Sequence, residues 1–117
     1  MTYQPLDYVE FSVSDLGAAK RFYGGAFGWE FTDYGPDYAG IRTADGRGEV
    51  GGLNPHGAGG PGGVMPLVRS ADLDASLAAA ESAGGTVLEP PHDYPGGRRF
   101  VVADPDGNRV GVYQPSE

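Results

Sequence analysis

Cysteine is absent from this chain of 117 residues. Disulfides, thiolate nucleophiles and Cys-ligated metal centres are therefore excluded together. Positive charge is scarce as well. Seven Arg and one Lys stand against 16 acidic residues, for a net charge of −8. A protein that grips the phosphate backbone carries a basic stripe, and none is visible, so nucleic acid is not an expected partner. The same acidity disfavours docking on an anionic membrane surface. No apolar run approaches the ~20 residues of a spanning helix, and the N-terminus has no signal-peptide pattern. The expectation is a cytoplasmic protein without a membrane partner. Glycine is abundant, at 21 residues. It does not fall into a phosphate-cradling loop, a dinucleotide fingerprint or a nucleophile elbow.

What the chain does contain is an internal repeat. At a shift of 57, Asp15-Leu16-Gly17-Ala18 falls on Asp72-Leu73-Asp74-Ala75, and Gly28 falls on Gly85. At a shift of 60, the segment from Val50 to Pro55 falls on that from Val110 to Pro115. Matching pieces in the same order indicate two copies of one supersecondary unit. A chain of this length supports one compact domain more readily than two of ~58 residues each, so the copies are expected to share a core.

Periodicity fills in each copy. Tyr8 to Val13 alternates strictly, which predicts a strand with Val9, Phe11 and Val13 on one face and Tyr8, Glu10 and Ser12 on the other. Ser14 or Asp15 can cap a following helix whose stripe is Leu16, Ala19, Phe22, Tyr23, Ala26 and Phe27, ending at Gly28. Short strands are expected at Trp29 to Asp33, Tyr38 to Arg42 and Val50 to Leu53. The second copy reads as a strand from Val64 to Val68, a helix from Asp72 to Ala83, then strands at Thr86 to Glu89, Arg99 to Ala103 and Arg109 to Tyr113. Asp104-Pro105-Asp106-Gly107-Asn108 is the turn joining the last two. Module one covers about residues 4–55 and module two about 64–115, with a Gly/Pro-rich linker at 56–63. The fold class is α+β, built from two tandem βαβββ modules. One helix shields only one face of its sheet, so the other faces are free to line a cleft between curved mixed sheets.

Val13-Ser14-Asp15-Leu16 leading to Phe22-Tyr23, then Phe27-Gly28-Trp29, and Ala103-Asp104-Pro105-Asp106-Gly107-Asn108 carry a family likeness. With the doubled βαβββ order, the whole chain resembles the vicinal oxygen chelate superfamily. That group includes glyoxalase I, extradiol dioxygenases and bleomycin-resistance proteins. The resemblance implies a fold that hosts isomerases, lyases, oxygenases and metal-free binding proteins alike. In its metal-using members, the ligands are His, Glu or sometimes Gln, on the first and last strands of each module. Carried onto this sequence, those positions are Tyr8, Met65, Gly51 and Gly111. A phenol is a poor ligand unless ionised, a thioether is too soft for a hard cation, and glycine has no side chain. No cofactor is therefore expected, and a nonstandard divalent site is the alternative. His56 and His92 are expected to be exposed loop residues.

With ligand positions turned into pocket wall, alternation predicts the lining. It is expected to contain Tyr8, Glu10, Ser12, Glu49, Gly51 and Leu53 from the first copy, and Met65, Leu67, Arg69, Arg109, Gly111 and Tyr113 from the second. Tyr94, in a Pro- and Gly-rich stretch, is expected on a mobile rim. Mostly apolar walls with few polar anchors suit a small, partly aromatic organic molecule. The expected protein is thus a glyoxalase-like binding protein, and a homodimer. Two alternatives stand beside it: an isomerase or lyase using Glu10 as its base, and a structural or regulatory dimer whose cleft is closed by side chains.

Overall fold

A computed structural model describes residues 3–57, 59–60 and 62–116. Its elements run β1 (Leu6–Ser12), α1 (Leu16–Phe27), β2 (Phe31–Asp33), β3 (Ala39–Arg42), β4 (Glu49–Asn54), β5 (Val64–Arg69), α2 (Leu73–Ser82), β6 (Thr86–Tyr94), β7 (Gly97–Ala103) and β8 (Arg109–Pro115). The βαβββ order occurs twice, as the repeat requires. No helix among the described residues is long and apolar enough to cross a membrane.

The described residues fall into two compact units: Tyr8–Met65, and Pro66–Glu117 together with Met1–Asp7. The assignment of the N-terminal segment departs from the boundary expected at residue 4. Its cause is specific bonding: the Arg69 amide donates to the Pro5 carbonyl at 3.0 Å, and Ser76 Oγ donates to Gln4 Oε1 at 2.6 Å.

In the first unit the strands lie in the order β2-β3-β4-β1, with β1 and β4 parallel and the other pairs antiparallel. Asp15 caps α1 by accepting from the Ala18 amide at 3.0 Å, and Gly28 ends the helix in the left-handed region at φ 72°. Leu16, Ala19 and Tyr23 pack with Phe11, Val13, Trp29 and Phe31 on a buried core of Ala39, Ile41 and Leu53. The Tyr23 and Trp29 rings stack with centroids 4.9 Å apart. Phe22 and Phe27, on the expected apolar stripe, are 59% and 61% exposed. Residues 16, 19 and 23 form the row that meets the sheet, and Phe22 and Phe27 lie on its flank.

The second unit has the order β5-β8-β7-β6, with β5 and β8 parallel. Asp72 caps α2 as Asp15 caps α1, accepting from the Ala75 amide at 3.1 Å. Leu73, Phe100, Val102 and Val112 form the core, joined by Val68, Leu77, Ala80 and Val110. The expected turn between β7 and β8 is present: Asp104 Oδ1 accepts from the Asp106 and Asn108 amides, both at 2.9 Å. Strand β6 is five residues longer than expected, because it continues through Pro90 and Pro91 to Tyr94. Prolines are tolerated there because β6 is an edge strand, and its register with β7 shifts between Val87 and Glu89 and again between Glu89 and His92.

Candidate functional site

The first unit has one face of its sheet under α1 and one face open. Phe11 points to the helix, so its neighbours Glu10 and Ser12 point away, and Tyr8 shares their face. Glu10 is opposite Gly52 on β4, and Gly52 is opposite Gly40 on β3. Two adjacent glycines therefore make a low floor beside Glu10. That floor is occupied from within the chain. A Cβ at Gly52 would collide with the hydroxyl end of Tyr38, and one at Gly40 with the Glu49 carboxylate.

The polar groups above the floor are connected. The Tyr8 and Tyr38 hydroxyls are 2.8 Å apart, the Tyr38 hydroxyl donates to Glu10 Oε2 at 3.2 Å, and Asn54 Nδ2 donates to Glu10 Oε1 at 3.3 Å. Since Tyr38 gives its single proton to Glu10, Tyr8 is the donor between the two phenols. Tyr34 donates to Glu49 at the rim. Glu10 is only 7% exposed. Burial, followed by the negative charges of Glu49 and Glu10, pushes the Tyr8 phenol well above its ordinary range, although its bond to Tyr38 pulls the other way. Burial and the Glu10 charge do the same to Tyr38, and the bond to Glu49 raises Tyr34. Each of these phenols is held protonated, so the cluster offers neutral hydroxyls beside carboxylates.

Two expected members of this face lie elsewhere. Gly51 is opposite Val9 and Ile41, and Leu53 is opposite Phe11, so both belong to the helix side. Leu53 is fully buried in the core there. The cause is a bulge: β4 is in register with β3 up to Gly51 opposite Ile41, and then Glu49 stands opposite Arg42, leaving Val50 unpaired. Glu49 thereby reaches the open face, as expected, although plain alternation from Gly52 would deny it that place. The repeat shift also changes. Glu10–Gly52 in one copy corresponds to Leu67–Gly111 in the other, so the last strands match at a shift of 59 rather than 60. The position equivalent to Gly111 is Gly52.

Tyr38, Asn54 and Gly40 lie outside the lining that alternation predicts. A usable signal existed for Tyr38: carrying the alternation of β3 back from Gly40 puts Tyr38 on the same face.

In the second unit, cross-strand register aligns Leu67, Gly111 and Val101 in one row and Arg69, Tyr113 and Arg99 in the next. Both rows lie on the face away from α2, since Val68, Val112 and Phe100 pack in the helix core. Met65 and Leu67 are buried. The Tyr113 hydroxyl donates to Asp7; burial first, and then that bond, push its pKa up to about 12. Arg109 is held by Glu89 at 3.2 Å. Tyr94 is a strand residue opposite Gly97 rather than part of a loop rim, because β6 continues through the prolines. His92 likewise lies in β6, with Nδ1 2.9 Å from the Pro90 carbonyl. His56 remains in a loop, 3.3 Å from Asp37.

The positions at which the resemblance implies metal ligands carry none of the His, Glu or Gln side chains that metal-using members place there. In module one the first-strand position carries a phenol kept protonated, and the last-strand position is glycine whether Gly51 or Gly52 is taken. In module two the corresponding residues are a thioether and another glycine. Among the described residues, no three His, Cys, Asp or Glu side chains group so as to hold a metal ion.

Residues 5–112 match the family described as the Glyoxalase/Bleomycin resistance protein/Dioxygenase superfamily. The chain belongs to that superfamily. Its relatives include the protein named "Putative glyoxylase CFP32" in Mycobacterium bovis and in Mycobacterium tuberculosis. It is 31% identical over 117 aligned residues, which cover 92% of this chain and 44% of the relative. The chain thus spans less than half the length of these curated relatives. Among solved structures, the Mn(II)-bound glyoxalase of Novosphingobium aromaticivorans is 27% identical with a TM-score of 0.66, over 96% of this chain and 40% of that one. Methylmalonyl-CoA epimerase of Streptomyces coelicolor shares the fold over 99% of this chain and 100% of its own, with a TM-score of 0.72 at 20% identity. The superfamily fold expected from the motifs is therefore the fold of this chain.

Proposed function

We propose that this chain is a metal-independent, small-molecule-binding member of the superfamily. Its ligand is a small, partly aromatic organic molecule, held on the open face of module one. One observation carries this reading: Glu10, Tyr8, Tyr38 and Asn54 are joined by hydrogen bonds over a floor made by Gly52 and Gly40. A carboxylate accepts a donor from the ligand, protonated phenols supply hydroxyls, and the tyrosine rings supply flat apolar surface. The chain is proposed to work in the cytoplasm as a homodimer, which sedimentation analysis tests.

A thermal-shift screen of aromatic metabolites and antibiotics tests the binding. The expected result is a stabilising hit that disappears in Tyr8→Ala; the absence of any hit contradicts the reading. Elemental analysis of protein purified without chelator is the companion test, and one tightly bound divalent ion per chain would overturn metal independence.

A second reading is favoured by the burial of Glu10 with both carboxylate oxygens hydrogen-bonded, and by the glyoxylase name of the CFP32 relatives. In it, the chain is an isomerase or lyase and Glu10 removes a proton from carbon. Glu10→Gln would then abolish turnover while leaving the thermal shift in place.

A further inference from the structure

We propose that Tyr38 is an internal occupant of the module-one site, and that the ligand class this site accepts is a phenol that replaces it. This inference rests on the reading of that face as a binding site, and it specifies what the site recognises.

The geometry around Tyr38 has the features of a ligand complex made within one chain. Its ring end lies over Gly52, in space that any other residue's Cβ would fill. Its hydroxyl is met from two sides by groups of opposite character. Tyr8 faces it at 2.8 Å as donor, and Glu10 Oε2 accepts from it at 3.2 Å. Asn54 fixes the other oxygen of Glu10 at 3.3 Å, so the carboxylate is already oriented toward that hydroxyl. A hydroxyl that both donates to a carboxylate and accepts from a phenol is what the site reads. A carboxylate or carbonyl at the same place would face Glu10 with no proton to give. An aromatic hydroxyl is therefore selected over an aromatic acid.

Tyr38 is also placed where it can leave. It follows the 3-10 turn Gly35–Asp37, whose three residues are all exposed, and Gly35 holds φ at 83°, in the region that favours glycine. The turn carries no bulky residue into the core. A side chain tethered beside its own site competes with any free ligand, and the apparent affinity falls by the fraction of time the site is vacated. Removing the tether should therefore raise affinity for the molecule Tyr38 imitates.

The test uses the full chain and p-cresol, which reproduces the tyrosine side chain, with toluene as the analogue lacking the hydroxyl. Calorimetric titration of Tyr38→Ala is expected to show saturable p-cresol binding, at least about tenfold tighter than wild type and about tenfold tighter than toluene, the discrimination that one lost hydrogen bond produces. Adding Glu10→Leu, whose side chain can neither accept nor donate, should lower the preference for the hydroxyl. Tyr38→Phe keeps the ring volume but drops the anchoring bonds, so its p-cresol affinity should fall between those of wild type and Tyr38→Ala. Equal binding of toluene and p-cresol by Tyr38→Ala, or no binding by a folded Tyr38→Ala, overturns the proposal. If Tyr38→Ala does not fold, Tyr38→Phe decides: p-cresol affinity equal to that of wild type overturns it. The outcome is separable from that of the broader reading. A wild-type screening hit lost in Tyr8→Ala, alongside failure of p-cresol in Tyr38→Ala, leaves a binding site with a different ligand class.

Discussion

Replacing Gly52 with alanine adds one methyl group at the point where the Tyr38 hydroxyl rests. The backbone does not forbid it, since Gly52 is an ordinary strand residue and is not among the positive-φ glycines. The collision can be relieved only by moving Tyr38 out. That breaks its bond to the Glu10 carboxylate, worth about 1.5–3 kcal/mol, and its bond to Tyr8, worth about 1 kcal/mol. Alanine restricts the unfolded chain and offsets this by about 0.4–1 kcal/mol. The net destabilisation is about 2–3 kcal/mol, a fall in Tm of roughly 10 °C for a chain of this size. Gly25→Ala provides the control. Its Cβ would meet nothing within 4 Å, and the residue lies inside α1, so stability should rise by about 0.5–1 kcal/mol. Thermal unfolding followed by circular dichroism measures both. A second readout is spectrophotometric titration of the tyrosines, in which Gly52→Ala should bring one phenol back toward its ordinary value near 10. If Gly52→Ala melts with wild type and its tyrosines titrate as in wild type, Tyr38 does not occupy the glycine floor.

Leu53→Ala should cost about 3–4 kcal/mol by thermal or urea unfolding, because Leu53 lies in the core beneath α1 rather than on the open face. A loss below 1 kcal/mol would return it to the open face. Alkaline pH should destabilise the protein. Tyr113 binds its proton more tightly folded than unfolded, so its contribution is intact below pH ~10 and is lost as pH rises toward about 12, with Tyr8 and Tyr38 acting in the same direction. Urea midpoints from pH 9 to 12 check this, and Tyr113→Phe should flatten the slope. Asp15→Ala should cost about 1 kcal/mol by loss of the α1 cap, whereas Ser14→Ala, the other residue considered for that role, should be close to neutral.

The order of elements could be read from the sequence because it depends on local chemistry. Asp15 and Asp72 cap, Gly28 terminates, and Asp104 to Asn108 turn, each by bonds within a few residues. The alternation of β1 correctly put Tyr8 and Glu10 on one face for the same reason. What failed was alternation across a bulge. Nothing local to Val50 announces that it will be skipped, since the slip is a property of how β4 pairs with β3, and so plain alternation puts Gly51 and Leu53 on the wrong side. The β6 segment failed differently. Two prolines read as a loop until it is known that the strand is at an edge, where missing amide hydrogens go unnoticed. Tyr38 falls in an expected strand, but its place in the cluster comes from Gly52 on β4 and Glu10 on β1, and no pattern local to residue 38 reveals either.

The bonds from Gln4, Pro5 and Asp7 to Ser76, Arg69 and Tyr113 have a consequence for dissecting the protein. The Gly/Pro-rich stretch around residues 56–63 is the obvious place to cut, yet a cut there separates the second unit from a piece of itself that lies at the opposite end of the chain. A fragment beginning at Val64 would lack the acceptor for Ser76 and the carboxylate bound by Tyr113. A fragment ending at residue 60 would carry Gln4, Pro5 and Asp7 without Ser76, Arg69 and Tyr113, the partners they bond. Joining residues 117 and 1 through a linker and opening the chain between residues 7 and 8 would keep each unit contiguous, so a circular permutant of that design is a more suitable starting point for separating the modules than simple bisection.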